Sequence, residues 1–215
     1  DALACAQEVI DSKRFEFIND SINNVYAYRN LSYIEKMARH EYVSSLYVYD
    51  LKEGRSDLFF KNLASCECVI AEGRKASIYS GMGQDLDIRS KNWFETPAGS
   101  ATEYVNKYMR GTQIPLLKLS EMYLIAAEAS GDIRYLETLR ANRGYATDPL
   151  PAGANLQDEI TKEYQKEFIA EGQLFYYYKR RNMAILPITS TSMNRATYVL
   201  PVPDNELEFG NFKQN

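Results

Sequence analysis

Two glutamates four residues apart are the side chains in this sequence best spaced for acid–base chemistry. Glu163 and Glu167 lie in the segment EYQKEF, and this spacing puts both on one face of a helix. A glycoside hydrolase needs two carboxyl groups roughly 5 to 10 Å apart on either side of the bond that it cleaves. The alternative is structural, because Lys162 and Lys166 bracket the pair and can neutralise it. The lysines favour the structural interpretation.

The remaining residues argue against the commoner catalytic and metal sites. The single histidine is His40, and two of the three cysteines, Cys66 and Cys68, are too close together for the usual zinc or redox spacing. We therefore expect no metal site, no histidine-based triad and no cofactor. The formal net charge of -4, with acids interleaved among the basic residues, also argues against a nucleic-acid partner.

A second set of charged side chains is predicted to stabilise the fold and to do no chemistry. A half-buried carboxylate is costly unless it is paired, so we expect the acids of this set to be matched by its arginines. The structural set comprises Glu121, Glu128, Arg143, Glu167, Glu171 and Arg180.

Helices are the elements that must position these side chains. The segment 114–144 is predicted to form two helices folded back on each other, with Pro115 in the first turn of the first helix. Gly131 supplies a left-handed C-terminus, and Asp132 then caps the second helix, which ends at Gly144. So short a turn is typical of the hairpins of tetratricopeptide-like arrays.

A third helix is predicted over 156–181, capped by Asn155, and a final helical turn is predicted around Leu207, capped by Asp204. Short strands are predicted at 46–49, 66–70, 76–79 and 104–109. The expected fold is therefore mainly α, with helical hairpins, long loops and little sheet. A mixed fold built on the segments between 46 and 79 is the alternative.

Four segments in order resemble motifs of the SusD/RagB family of nutrient-uptake lipoproteins. They are LSEMYLIAAEA at 119–129, LRANRG at 139–144, EYQKEFIAEGQLFYYYKR at 163–180 and YVLPVPDNE at 198–206. Arg140 stands near the position where the family pattern usually has asparagine, and Gln173 and Tyr177 replace the commoner arginine and aspartate. Each motif alone is weak, but the four in this order are specific as a set.

The resemblance implies that residues 1–215 form the carboxyl-terminal half of a SusD-like domain. On this resemblance, the amino-terminal half with its lipidated cysteine is expected to be absent from residues 1–215, which would account for the helical pattern DALACAQEVIDS already at position 1. It also implies a binding protein and not an enzyme, located on the outside of the outer membrane. Such a lipoprotein binds a nutrient oligomer, usually an oligosaccharide, and delivers it to a SusC-like TonB-dependent transporter. The alternative to glycan binding, with the same helical-repeat architecture, is an uptake protein that binds a peptide.

If the ligand is a glycan, its site needs flat rings to stack on sugar faces and polar groups to orient hydroxyls. The loop 79–94 holds such residues, and Gln84 and Asp85 lie within it. The predicted ligand-binding residues are Trp93 as the stacking platform, Tyr79 as a second ring, and Arg89 and Asn92 as hydroxyl partners. The alternative is that Trp93 packs in the core beneath the loop and that Arg89 pairs with a neighbouring carboxylate.

Overall fold

The computed structural model describes residues 1–17, 39–49, 69–71, 73–79, 86–96, 103–105, 107, 113–145, 149–187, 189–199 and 201–210. The chain divides into two compact units, Asp1–Ala170 and Glu171–Asn215. Helices dominate the described residues and the strands are short, so the expected mainly α fold is confirmed. No helix in these ranges combines the length and the apolar character needed to cross a membrane.

The helices are α1 (Ala2–Asp11), α2 (Arg74–Ile78), α3 (Ile88–Asn92), α4 (Leu119–Ser130), α5 (Ile133–Arg140), α6 (Leu156–Glu167), α7 (Gln173–Arg180) and α8 (Asp204–Phe209). The strands are β1 (Tyr42–Tyr47), β2 (Val69–Ile70), β3 (Phe94–Glu95), β4 (Glu103–Val105), β5 (Gln113–Lys118), β6 (Ile185–Leu186) and β7 (Thr191–Ser192). A 3₁₀ turn, Arg39–Glu41, precedes β1, and a wide helical turn, Ala141–Tyr145, follows α5.

The predicted helical hairpin is present as α4 and α5. Gly131 is left-handed at φ 72°, and the Asp132 carboxylate accepts a hydrogen bond of 2.9 Å from the backbone N–H of Arg134. The helix α4 packs against α1, α5 and α6. Its contact with α1 forms an apolar cluster, consisting of Ala6, Ile10, Leu119, Met122 and Ala126. The hairpin is thus the centre of the unit Asp1–Ala170.

The predicted start of this hairpin at Pro115 is wrong. Residues 113–118 form strand β5, which pairs antiparallel with β1 so that Pro115 lies opposite Ser45. A proline is tolerated there because each strand of a two-stranded sheet has an edge where no N–H is needed. The sequence QIPLLK fits either element, and its partner strand, some seventy residues earlier, decides for the strand.

The predicted single helix over 156–181 is also wrong, because it is broken into α6 and α7. Ala170 and Gly172 both have left-handed backbones, at φ 61° and 76°, which no α-helix can contain. The cap at the start of α6 is confirmed, since the Asn155 side chain accepts hydrogen bonds from the N–H groups of Gln157 and Asp158 at 2.9 and 3.1 Å.

The strand predictions have mixed outcomes. The strand predicted at 76–79 is wrong, because α2 occupies most of that segment. Val69–Ile70 and Glu103–Val105 are strands in a three-stranded sheet with β3, so the strand predicted at 104–109 is confirmed only at 104–105, and Lys107 is not in a strand. Residues 66–68, 106, 108 and 109 of these predicted strands lie outside the described ranges. The predicted strand 46–49 lies partly in β1. The predicted last helical turn is present as α8, but the predicted cap at Asp204 is wrong, because Asp204 is the first residue inside the helix and Pro203 occupies the cap position. No sheet of four or more strands occurs in the part of the chain that the structure describes, so the mixed-fold alternative is not supported.

Candidate functional site: a buried ion network

The charged network in the interior begins at Asp87, which precedes α3. Its carboxylate caps the helix by accepting a hydrogen bond of 2.8 Å from the Arg89 backbone N–H. The same carboxylate accepts two more from the Arg89 guanidinium, at 3.0 Å from Nε and 2.8 Å from Nη2. Both side chains are fully buried. A single Asp-x-Arg spacing thus caps the helix and fixes the direction of the guanidinium.

The guanidinium of Arg89 also reaches both acids of α6. Its Nη2 lies 2.8 Å from Glu163 Oε2, and its Nη1 lies 3.1 Å from Glu167 Oε2. One cation can bind both because residues four apart are neighbours on a helix face. Glu163 accepts further bonds from Lys166 Nζ at 2.9 Å and Arg140 Nη1 at 3.3 Å. Glu163 and Glu167, whose spacing suggested a catalytic pair, therefore bind the same arginine.

The second arginine of the network, Arg143, lies between Glu167 and Glu41. It donates to both oxygens of Glu41 at 2.8 and 2.6 Å, and to both oxygens of Glu167 at 3.1 and 3.0 Å. The backbone carbonyl of Glu167, at the end of α6, accepts hydrogen bonds from Lys107 and Lys118. Cations are favourable there because a helix C-terminus carries partial negative charge. Glu167 is thus the residue on which the network converges.

Gly144 permits this convergence. Its backbone is left-handed at φ 103°, and a Cβ at this position would lie 2.1 Å from the carbonyl oxygen of Leu86. Only glycine allows so close an approach. The backbone of Leu86, which leads to Asp87 and Arg89, therefore lies directly against the residue that follows Arg143.

The charges of the network hold one another in the ionised state. Burial alone would raise the pKa of Glu163, but Arg89, Lys166 and Arg140 outweigh it and lower that pKa to about 2. Burial alone would likewise raise the pKa of Glu167, yet Arg143, Lys118 and Arg89 hold this pKa well below the usual range. Burial alone would also lower the pKa values of Arg89 and Arg143, which the surrounding carboxylates raise.

This electrostatic arrangement does not suit a glycoside hydrolase. Such an enzyme needs one carboxyl group with a raised pKa, so that it can protonate the leaving oxygen. Glu163 and Glu167 are instead ionised at neutral pH and their oxygens are occupied by arginine and lysine donors. What these two residues can do here is stabilise the fold.

The four predicted ligand-binding residues lie at or beside this network. Trp93 is 5% exposed and Tyr79 is 0% exposed, and Lys107 Nζ lies 3.9 Å from the centre of the Trp93 ring. The Tyr79 hydroxyl donates to the Lys166 carbonyl at 3.0 Å, and burial, together with the Asp87 carboxylate, raises the pKa of Tyr79 well above its ordinary value.

The other two predicted polar partners are also engaged within the protein. Arg89 is fully buried in the network, and the Asn92 side-chain amide donates to the Ile88 carbonyl at 2.7 Å. The structure therefore matches the alternative in which Trp93 is core and Arg89 is ion-paired. Gln84 and Asp85 lie outside the described residues. Ligand binding by these four residues stays a prediction, and the burial of Trp93, Tyr79 and Arg89 speaks against it.

Of the structural set, Arg143 and Glu167 form a direct buried pair. Glu121 and Glu128 lie half-buried on α4, and their predicted pairing with arginines stays a prediction, as does that of Glu171. Arg180 lies with its guanidinium carbon 5.4 Å from the centre of the Tyr177 ring. Sequence reasoning missed Glu41, whose partner Arg143 is 102 residues away, and no local signal marks such a pair.

Comparison with known proteins gives a likeness in fold. No family model matches the chain, and no curated protein matches it. The fold is similar to the crystal structure of a candidate sugar-binding protein from Bacteroides vulgatus, with a TM-score of 0.66 and 21% sequence identity. The aligned region covers 96% of this chain and 52% of that protein. At this identity the likeness shows the fold alone. The chain spans about half the length of that neighbour.

Proposed function

We propose that this chain belongs to a protein that binds a carbohydrate without cleaving it. The observation that carries the proposal is the shared fold: 96% of the chain aligns with a protein described as a candidate for sugar binding. The four sequence motifs at 119–129, 139–144, 163–180 and 198–206 point independently to a family whose members bind nutrient oligomers.

The absence of catalysis is supported by the state of the best-spaced acids. Glu163 and Glu167 are buried and each is bound to more than one cation. A proton donor for glycosidic cleavage would have to be another residue. Among the residues that the structure describes, no group of three or more histidine, cysteine, aspartate or glutamate side chains is arranged to bind a metal ion.

More specifically, we propose that the protein is a SusD/RagB-type lipoprotein on the outer surface of the outer membrane. It would bind a nutrient oligosaccharide and pass it to a SusC-like TonB-dependent transporter. In this form residues 1–215 are the carboxyl-terminal part of the domain, completed by an amino-terminal half. The order of the four motifs supports this form, and an alignment that covers 52% of the neighbouring structure is compatible with it.

A binding survey tests the proposal. The full chain, carrying a terminal affinity tag, is applied to an array of plant, microbial and host glycans and, in parallel, to a peptide library. We expect saturable binding to one class of glycan and none to peptides. Binding to peptides alone would favour the peptide-binding alternative, and binding to neither would contradict the proposal.

A further inference from the structure

Two tyrosines at the end of β1 have open rings. Tyr47 is 66% exposed and Tyr49, two residues later, is 86% exposed. In the described part of the chain neither hydroxyl makes a hydrogen bond and neither ring contacts another ring or a cation. They differ in this from Trp93 and Tyr79, which are covered. A flat, uncovered ring is what a shallow sugar-binding surface needs for stacking on a sugar face.

The antiparallel pairing of β1 with β5 places the side-chain amide of Gln113 beside the ring of Tyr47. Tyr47 lies directly opposite Gln113 in the antiparallel register, so the two side chains emerge on the same face with Cβ atoms roughly 5 Å apart. The Gln113 side chain makes no hydrogen bond within the described residues. Its amide offers two donors and one acceptor, which suits the mixed donor and acceptor character of sugar hydroxyls.

The described strand residues at this end of the sheet carry no charged side chain. The segments 42–49 and 113–117 read YVSSLYVY and QIPLL and contain no aspartate, glutamate, lysine or arginine, in a chain in which 25% of residues are charged. Among these described residues an acidic sugar would find no cation to offset the loss of its hydration. The chemistry of the surface therefore fits an uncharged ligand.

The other end of the same ladder is anchored in the ion network. Glu41 immediately precedes β1, and Lys118 ends β5, and both are buried. Tyr42 pairs with Lys118 there. Tyr47 is five residues further along, which at strand spacing is about 17 Å. The network thus fixes the base of the two strands, while Tyr47 and Gln113 stand at their far end and Tyr49 follows two residues after the strand.

We propose that Tyr47, Tyr49 and Gln113 form the binding site for an uncharged oligosaccharide. The two rings stack on sugar faces and the amide binds hydroxyls. This inference rests on the proposed carbohydrate-binding function and names its site and the charge class of its ligand.

Calorimetric titration of the full chain tests it. The probes are neutral hexasaccharides of the malto, cello, xylo and manno series, with hexagalacturonic acid as the charged comparison. We expect the unsubstituted chain to bind one neutral series and to bind the acid at least tenfold more weakly. Tyr47→Ala and Tyr49→Ala should each weaken neutral binding by about tenfold, as loss of a stacked ring does elsewhere, and Gln113→Ala should weaken it severalfold. Tyr47→Phe keeps the ring and should retain most of the affinity.

Tyr176→Ala is the matched control, because Tyr176 is a 70% exposed tyrosine on α7 and should change affinity less than twofold. If the unsubstituted chain binds a neutral oligosaccharide and the β1 variants bind it equally well while folded, the site is wrong but the proposed function stands. Preferential binding of the acidic probe would overturn the uncharged-ligand claim. If peptides bind in place of sugars and the β1 variants abolish that binding, the carbohydrate assignment of this surface is wrong. If no probe binds, both the site and the function fail.

Discussion

Arg143 and Glu167 share two hydrogen bonds inside the protein, from Nε to Oε2 at 3.1 Å and from Nη2 to Oε1 at 3.0 Å. The same guanidinium binds both oxygens of Glu41, which lies 102 residues earlier in the chain. Arg143, which binds both Glu167 and Glu41, therefore joins the turn after α5 to α6 and to the start of β1. Because a buried charge is costly without its partner, most expected consequences of substitution follow from this relationship.

Removing Glu167 should be strongly destabilising. Glu167→Ala leaves the buried Arg143 and Arg89 without a shared carboxylate, and we expect a loss of about 3 to 5 kcal/mol in the free energy of unfolding, measured by urea titration. Glu159→Ala on the same helix is the control, because the Lys162 side chain paired with Glu159 is mostly exposed, and the expected loss is under about 1 kcal/mol. Equal losses in the two variants would show that the network contributes little.

The stability of the chain should fall in acid through Glu163. Its pKa is about 2 in the folded state and 4.5 as the ordinary value. A lowered folded pKa contributes stability that is fully present above pH 4.5 and is lost as the pH falls toward 2, on the order of 3 kcal/mol. Urea titrations between pH 7 and pH 2 measure this slope. Glu163→Gln should reduce the slope, and a slope identical to that of the unsubstituted chain would contradict the assignment.

A methyl group at Gly144 should be poorly tolerated. It would collide with the Leu86 carbonyl, and the left-handed backbone adds its own strain, so Gly144→Ala should cost roughly 2 to 4 kcal/mol. Gly153→Ala shares the left-handed backbone, at φ 80°, but meets nothing within 4 Å, and should cost about 1 kcal/mol. Thermal unfolding of both variants separates the collision from the backbone strain, and similar melting temperatures would argue against the close approach.

Truncating Trp93 should damage the fold before it affects any ligand. Trp93 is nearly buried, so Trp93→Ala should cost about 3 to 5 kcal/mol of stability. Tyr49→Ala, at an exposed position, should change stability by less than about 0.5 kcal/mol. Differential scanning calorimetry distinguishes the two. A Trp93→Ala variant with unchanged stability and lost glycan binding would restore Trp93 as a ligand residue.

The sequence predicts those features of the fold that depend on residues close together in the chain. The caps Asp132 and Asn155 and the left-handed Gly131 were predicted correctly, because a cap or a glycine acts within a few residues of its own position. The strand at Pro115 was missed because its partner, β1, is distant in the sequence. The break between α6 and α7 had a signal in Gly172, but Ala170, which shares the left-handed backbone, gave none.

The candidate site divides in the same way. The spacing of Glu163 and Glu167 predicted a shared face, and the flanking lysines predicted pairing, which Lys166 provides. That Arg89 would lie between the two acids depends on Gly144 and Leu86 meeting, a contact between distant segments. The inventory of the loop 79–94 suggested a sugar site, yet residue type alone does not reveal which rings are covered. The structure was needed to show that the rings of Tyr47 and Tyr49 are exposed.

The most direct test of non-catalytic carbohydrate binding combines titration with recovery of the ligand. The full chain is titrated with each neutral hexasaccharide by calorimetry, and the bound sugar is then released after prolonged incubation and sized by chromatography. Saturable binding of at least one series, with the hexasaccharide recovered intact, is the predicted result. Absence of binding across the panel, or recovery of shorter sugars at a rate above a protein-free control, would contradict it.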